Sequence, residues 1–260
     1  MYCRVCSGES NEIFSAKILK KLDIKYYLCP TCNFLQTENP YWLDEAYKSA
    51  IGTTDTGLLK RNQLFSKRTA AVINLFFNKE KKFLDYAGGY GIFVRMMRDL
   101  GYDFYWVDPY TPNLLARGFE YHNSDTIELL TAFECFEHFV KPIIDIEKMI
   151  SISENIIFST RLFGKTPPQP KEWWYYSFES GQHISLYSIT TLKFLAKKFN
   201  LHLCSDNKAF HMLSKKKASN FLFNMVLKLS DSGLNNFIGT RLKSKTELDH
   251  EFLSDKREID

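Results

Sequence analysis

Several things are missing from this chain, and each absence narrows what it can be. No stretch approaches roughly 18 uninterrupted apolar residues, so no membrane-spanning helix is expected. The opening MYCRVCSGES has no apolar leader segment, so a cytoplasmic, soluble protein with reduced thiols is expected. An excess of one charge is also missing: 34 Lys and Arg face 30 Asp and Glu, a net +4. That balance is too even to imply a nucleic-acid partner, which normally faces a concentrated basic surface. The densest basic run, Lys215-Lys216-Lys217, reads as a solvated turn or helix end. Apolar residues do make up 45% of the 260, enough for one large domain or one domain with a small appendage.

Cysteine is scarce everywhere except at the start. Cys135 and Cys204 lie in apolar runs and read as buried hydrophobes. The other four form two C-x2-C pairs, Cys3/Cys6 and Cys29/Cys32, with 22 residues between them. A C-x2-C turn aims two thiolates at one point, and two such turns supply a closed tetrahedral metal site. Redox dithiols and disulfides are the competing readings. A redox C-x-x-C normally comes singly beside a βαβ unit, which favours structural zinc at Cys3, Cys6, Cys29 and Cys32. The segment between the pairs, EIFSAKILKKLDIKYYLC, alternates apolar and polar residues and is expected to form small strands.

Residues 40 to 80 read as helical, starting with Pro40 as an N1 residue. Leu64, Ala71 and Leu75 share one face of the second helical run. The polar interruption SAIGTTDTG reads as a helix connection. A flap over a ligand, using Asp55, Arg61 and Asn62, is the alternative. KFLDYA then predicts a buried strand, with Gly88, Gly89 and Gly91 following and a helix from about Ile92 to Leu100 that stops at Gly101. DFYWVD predicts a second strand ending at Asp108, followed by Pro109. This is a βαβ unit with a glycine turn, which lets a ligand approach backbone N–H groups at a helix start. Asp108, 17 residues beyond Gly91, is placed to accept hydrogen bonds from ribose hydroxyls. A nicotinamide dinucleotide is disfavoured, because Val94 stands where its fingerprint needs a third small residue.

The stretch Asp85-Tyr86-Ala87-Gly88-Gly89-Tyr90-Gly91 resembles the D-x-G-x-G-x-G motif of class I S-adenosylmethionine-dependent methyltransferases, with Ala87 in place of the first glycine. The segment TAFECFEHF, residues 131 to 139, resembles the stretch after the fourth strand of those enzymes. The segment from Trp173 to Ser188, containing GQHIS, resembles one subgroup with an N-terminal four-cysteine zinc module. That subgroup includes sugar C-methyltransferases and short surface-glycan methyltransferases. The resemblance covers about residues 1 to 205 and fits the shorter members.

The resemblance implies an α/β fold, a Rossmann-like class I methyltransferase domain with a small N-terminal zinc-binding module. The expected divisions are a zinc module at 1–40, a helical cap or linker at 41–80, the Rossmann-like domain at 81–215, and a C-terminal helix with a solvated tail at 216–260. Asp85, Ala87, Gly88, Gly89, Gly91, Asp108, Pro109, Ala132, Phe133 and Glu134 are implied around S-adenosylmethionine. His183 is the first candidate for a base and His138 the second, since imidazole titrates near neutral pH. Tyr175, Tyr176, Glu179 and Gln182 are expected to line the acceptor site. The implied acceptor is small and nucleotide-linked, of bacterial capsule synthesis, either a sugar or an O-methyl phosphoramidate. Two rivals remain. In one, an RNA or protein methyltransferase grips its substrate through a basic face built from Arg4, Lys17, Lys20, Lys21 and Lys25. In the other, the scaffold is degenerate and not an enzyme. His122, His202, His211 and His250 read as ordinary residues, and the oligomeric state is left open.

Overall fold

The computed structural model describes residues 1–48, 55–233 and 242–257. Most of the interruption read as a connection or flap therefore lies outside the described residues, although Asp55, Arg61 and Asn62 lie within them.

The alternating segment between the cysteine pairs forms the hairpin β1 (Asn11–Ile18) and β2 (Leu22–Leu28). Strand β3 (Leu35–Thr37) pairs antiparallel with β2. A fourth strand, β8 (Ser185–Leu186), comes from far down the chain and pairs with β3. The sheet that begins in the N-terminal module is thus finished by the residues just after His183.

Two helices follow, α1 (Leu43–Ala46) and α2 (Leu58–Phe76). The first starts after Trp42 rather than at Pro40. Phe65, Thr69, Val72 and Ile73 form the buried face of α2, while Leu75 is exposed, so the expected stripe is rotated. The main sheet has the order β5-β4-β6-β7-β10-β9, from β4 (Lys82–Tyr86), β5 (Asp103–Val107), β6 (Ile127–Ala132), β7 (Asn155–Ser159), β9 (His202–Ser205) and β10 (Phe210–Ser214). The first four run parallel, and β10 is antiparallel to both of its neighbours. Helix α3 (Ile92–Asp99) connects β4 to β5 as a parallel crossover requires. Gly101, in the left-handed region at φ 96°, ends that helix. Beyond β5, among the described residues, only a single bridge, Trp106 to Glu120, stands where a further strand would lie. Ala132 therefore ends the third strand of this sheet along the chain, not the fourth.

Helix α4 (Pro142–Ile152) precedes β7. Ser188 caps α5 (Ile189–Lys198) by accepting from the Thr191 N–H while Thr191 Oγ1 accepts from Ser188 N–H, a reciprocal capping box. One apolar cluster joins Leu84, Leu130 and Phe158 of the main sheet to Phe34 and three cysteines of the N-terminal module. A second packs α2, α3 and α6 (Asn220–Asp231) on the opposite face. Cys135 and Cys204 are buried as hydrophobes.

The tail departs from expectation. Instead of standing solvated, it forms α7 (Thr246–Arg257) and docks against α3 and the 118–119 segment. Asp249 is buried and accepts two hydrogen bonds from Arg98, at 2.8 and 2.7 Å, and Leu253 lies against Gly118. Asp249 is the fourth residue of this helix, an acid in a mixed-sign run, and nothing local distinguishes it from a solvated charge.

Candidate active site

The glycine turn follows β4 at the carboxyl end of the parallel strands. Gly89 has φ 53° and Gly91 φ 85°, both left-handed. At Gly91 a Cβ would come within 2.9 Å of Ala116 Cβ and N, so the turn packs against the 113–116 segment. At Gly89 an added Cβ would meet nothing within 4 Å. The turn is therefore closed on one side and open above Gly89, as a cradle for an adenosyl ligand needs. Ala87 is also left-handed, at φ 58°. The departure from the glycine motif thus falls where glycine is favoured, and it carries a strain of about 1 kcal/mol.

Asp108 lies over the turn. One of its oxygens accepts the Gly89 N–H at 2.9 Å and the other the Tyr110 and Thr111 N–H groups at 2.8 and 3.0 Å. A ribose approaching it would share or displace these donors. Asp85 is buried beneath, accepts from Thr131 Oγ1 at 2.7 Å, and is pushed up to about 7 by burial, with the Thr131 bond opposing and the Asp108 charge adding.

At the end of the neighbouring strand β6, Ala132 is fully buried and Phe133 stacks on Phe65. Glu134 is held by Ser159, whose hydroxyl accepts its N–H at 2.7 Å and donates to its carboxylate at 2.6 Å. Arg61 stands 3.7 Å from Glu134 and forms a two-point pair with Asp55 at 2.9 and 2.8 Å. Asp55 and Arg61 are thus brought beside Glu134. Asn62 instead donates to Leu58 O within its own helix.

The two candidate bases are neighbours, His138 and His183 having ring centroids 5.0 Å apart. His183 Nδ1 lies 2.6 Å from the Tyr175 carbonyl, which can only accept. Nδ1 therefore carries the proton, and the lone pair sits on Nε2. Burial pushes His183 down to about 4, with the Tyr175 bond opposing, and His138 down to about 3, so both imidazoles are neutral at pH 7. His138 Nδ1 meets the Tyr47 hydroxyl at 2.9 Å, and the Gln182 carbonyl also faces its ring.

Sequence reasoning missed two members of this cluster. Tyr47 comes from the cap region. Glu137, one residue before His138, is fully buried with neither carboxylate oxygen in a hydrogen bond of regular geometry. Burial pushes Glu137 up to about 8, the Glu134 charge adds, and the nearby Tyr175 and Thr160 hydroxyls oppose. The only signal in the sequence was its place within FECFEHF.

The other expected acceptor residues divide. Tyr175 packs on His183, with rings 4.7 Å apart, and positions it through its carbonyl. Gln182 donates to Ala46 O at 2.7 Å. Glu179 is exposed. Tyr176 is corrected: it is 1% exposed, donates to Pro168 O at 2.7 Å, and belongs to an aromatic core with Phe14, Tyr26 and Phe178.

The four cysteines converge, all four sulfurs lying within 4.8 Å of one another. The closest approaches, Cys3 to Cys32 at 3.5 Å and Cys6 to Cys29 at 3.4 Å, are far longer than the roughly 2.05 Å of a disulfide. Sulfurs about 2.3 Å from a central zinc stand roughly 3.8 Å apart in a tetrahedron, so the set fits that ion.

Residues 60–205, more than half the chain, match a family profile described as a methyltransferase domain. The chain belongs to this methyltransferase family and is an S-adenosylmethionine-dependent methyltransferase. No curated protein matches it. Among solved structures, it is similar to an O-methyltransferase family protein from Burkholderia thailandensis at 11% identity and TM-score 0.42, over 70% of this chain and 69% of that one. It is similar to an O-methyltransferase family 2 protein from Planctomyces limnophilus, complexed with apigenin, at 15% identity and TM-score 0.42, over 67% and 65%. It is also similar to the plantazolicin methyltransferase BpumL, in complex with a monoazolic desmethylPZN analog and SAH, at 14% identity and TM-score 0.48, over 75% and 86%.

Proposed function

We propose that this enzyme methylates a small, nucleotide-linked intermediate of bacterial surface-polysaccharide synthesis in the cytoplasm, either a sugar or the precursor of an O-methyl phosphoramidate. The observation that carries the reading is the pair of neutral imidazoles, His138 and His183, gathered with Glu137 and Tyr47. The four-cysteine module and the GQHIS segment support the same group of enzymes. The basic face of the RNA-gripping rival is partly neutralised: Lys17 pairs with Asp23, Lys21 with Glu45 and Lys25 with Glu12, and Arg4 turns inward, while Lys20 stays exposed.

When bound, S-adenosylmethionine supplies a sulfonium methyl that leaves with its bond electrons remaining on sulfur. The chain's own residues bind and align. The glycine turn, Gly88 to Gly91, takes the amino-acid tail, and Asp108 and Pro109 flank the ribose. Ala132, Phe133 and Glu134 wall the crevice. His183 Nε2 accepts the proton of a hydroxyl acceptor; an already anionic phosphoramidate oxygen needs no base, and the neutral His183 ring then orients the acceptor by contact. Zinc at Cys3, Cys6, Cys29 and Cys32 has no open position and folds the module.

The test is isotopically labelled cofactor against a panel of nucleotide-linked sugars and phosphoramidates, with the methyl then located by mass. Label in one of these small acceptors is expected. Label that enters only RNA or protein refutes the assignment.

A further inference from the structure

Arg4 lies inside the first metal knuckle, between Cys3 and Cys6, yet its side chain leaves the module. Its Nη2 donates to the Ile184 carbonyl at 2.5 Å, one residue from His183. Its backbone N–H and Nε both reach Gln36 Oε1, at 2.8 and 3.3 Å, and the buried Gln36 amide donates to Tyr2 O at 2.9 Å. The Ile184 peptide is gripped on other sides as well. Its N–H donates to Glu137 O at 3.0 Å, and its carbonyl also accepts the Thr37 N–H at 3.2 Å. Since Thr37 already satisfies that carbonyl, Arg4 is not needed to pair it. Nor is Arg4 an inexpensive second partner, because its Nη1 is buried without a hydrogen bond.

The neighbours of Ile184 follow the same pattern. Trp42 Nε1 donates to Gly181 O at 2.8 Å, Gln182 donates to Ala46 O, and Ser185 pairs with Gln36 across β3 and β8. Residues 181, 182, 184 and 185 are each fastened to the first 46 residues, and His183 lies in the middle of the row. Its ring is then held from one side by Tyr175. A cationic guanidinium that spans from the knuckle to this peptide ties the position of the imidazole to the folded metal site.

We propose that Arg4 is a positioning residue of the active site, fixing the Ile184 peptide and through it the His183 imidazole. The four-cysteine module thereby sets acceptor-site geometry in addition to folding the N-terminus. This rests on the acceptor role given to His183 above.

The test uses the full-length, zinc-loaded protein and the variants Arg4→Ala, Arg4→Lys and His183→Ala. Arg4→Ala keeps its metal content and its affinity for S-adenosylhomocysteine within about two-fold, while kcat falls roughly 10- to 100-fold, the scale of an ångström-level misplacement. Lysine, a point charge, cannot reach Ile184 and Gln36 together and restores only part of the loss. A readout independent of turnover is the proton resonance of the short His183 Nδ1–H bond, assigned by its disappearance in His183→Ala. It shifts or broadens in the Arg4 variants. In a His183→Ala background, Arg4→Ala causes no further loss. If Arg4→Ala fails to fold, Arg4→Lys carries the same comparison. An unmoved resonance with kcat within two-fold overturns the proposal. So does an equal further loss in the His183→Ala background. Full turnover by His183→Ala alone overturns the acceptor reading instead, whatever Arg4 does.

Discussion

Replacing Asp249 by alanine tests whether the C-terminal helix belongs to the folded domain. Arg98 and Asp249 side chains are only 5% and 6% exposed, and the two-point contact leaves little room for water. Arg95 adds a third contact to Asp249 at 2.8 Å. Removing one partner of a buried pair costs about 3–5 kcal/mol, chiefly because a desolvated charge is left behind. Arg98 retains Asp103 at 2.8 Å, the Phe104 carbonyl at 3.0 Å and the face of Phe119, so the loss falls at the lower end, about 3 kcal/mol. That is a large share of a typical total of 5–15 kcal/mol. Urea unfolding at pH 7 measures it. The pH dependence has a definite sign. Burial would raise the Asp249 carboxyl, but Arg98 and Arg95 outweigh burial and hold it below its usual value. The contribution is therefore complete above the unfolded pKa of about 4 and is lost as pH falls through the lower folded value. The gap between wild type and Asp249→Ala narrows in acid. A gap under about 0.5 kcal/mol at pH 7 would mean that the tail is solvated, as its composition first implied.

Other outcomes follow from the site. Asp85, raised to about 7 by burial, penalises folding once the unfolded chain ionises near pH 4 and until the folded group ionises near 7, so stability is lost as pH rises across that window. Asp85→Asn removes this slope, and unfolding at pH 4.5 and 7 measures it. An unchanged slope refutes the buried acid. Gly91→Ala forces φ 85° on a side chain and drives a Cβ to 2.9 Å from Ala116, costing about 1–3 kcal/mol and weakening cofactor binding by calorimetry. Full affinity contradicts the packing. Cys29→Ser lowers bound zinc and the melting temperature together, whereas a zinc-free protein with an unchanged melt removes the metal from the account.

Much of the architecture was legible because local chemistry and tertiary context agree. The cysteine spacing marked the module, the glycines and Gly101 bracketed α3, and Ser188 announced α5. What was not legible depended on contacts between distant segments. Tyr176 is an aromatic beside an expected acceptor site by sequence, but Phe14 and Tyr26 of the first hairpin enclose it. Tyr47 reaches His138 from 91 residues away, and nothing local marks that contact. Leu75 carried the right period for a buried stripe but sits at the solvent edge, since spacing fixes which residues share a face and not which face turns inward.

The proposed cofactor bed is tested most directly at Gly89. Asparagine tolerates a left-handed backbone, and an added side chain there meets no protein atom within 4 Å, so Gly89→Asn should melt within a few degrees of wild type. Titration calorimetry with S-adenosylhomocysteine should then show at least a ten-fold loss of affinity, because the new side chain occupies the space above the turn. An intact fold binding with undiminished affinity would show that the adenosyl group lies elsewhere.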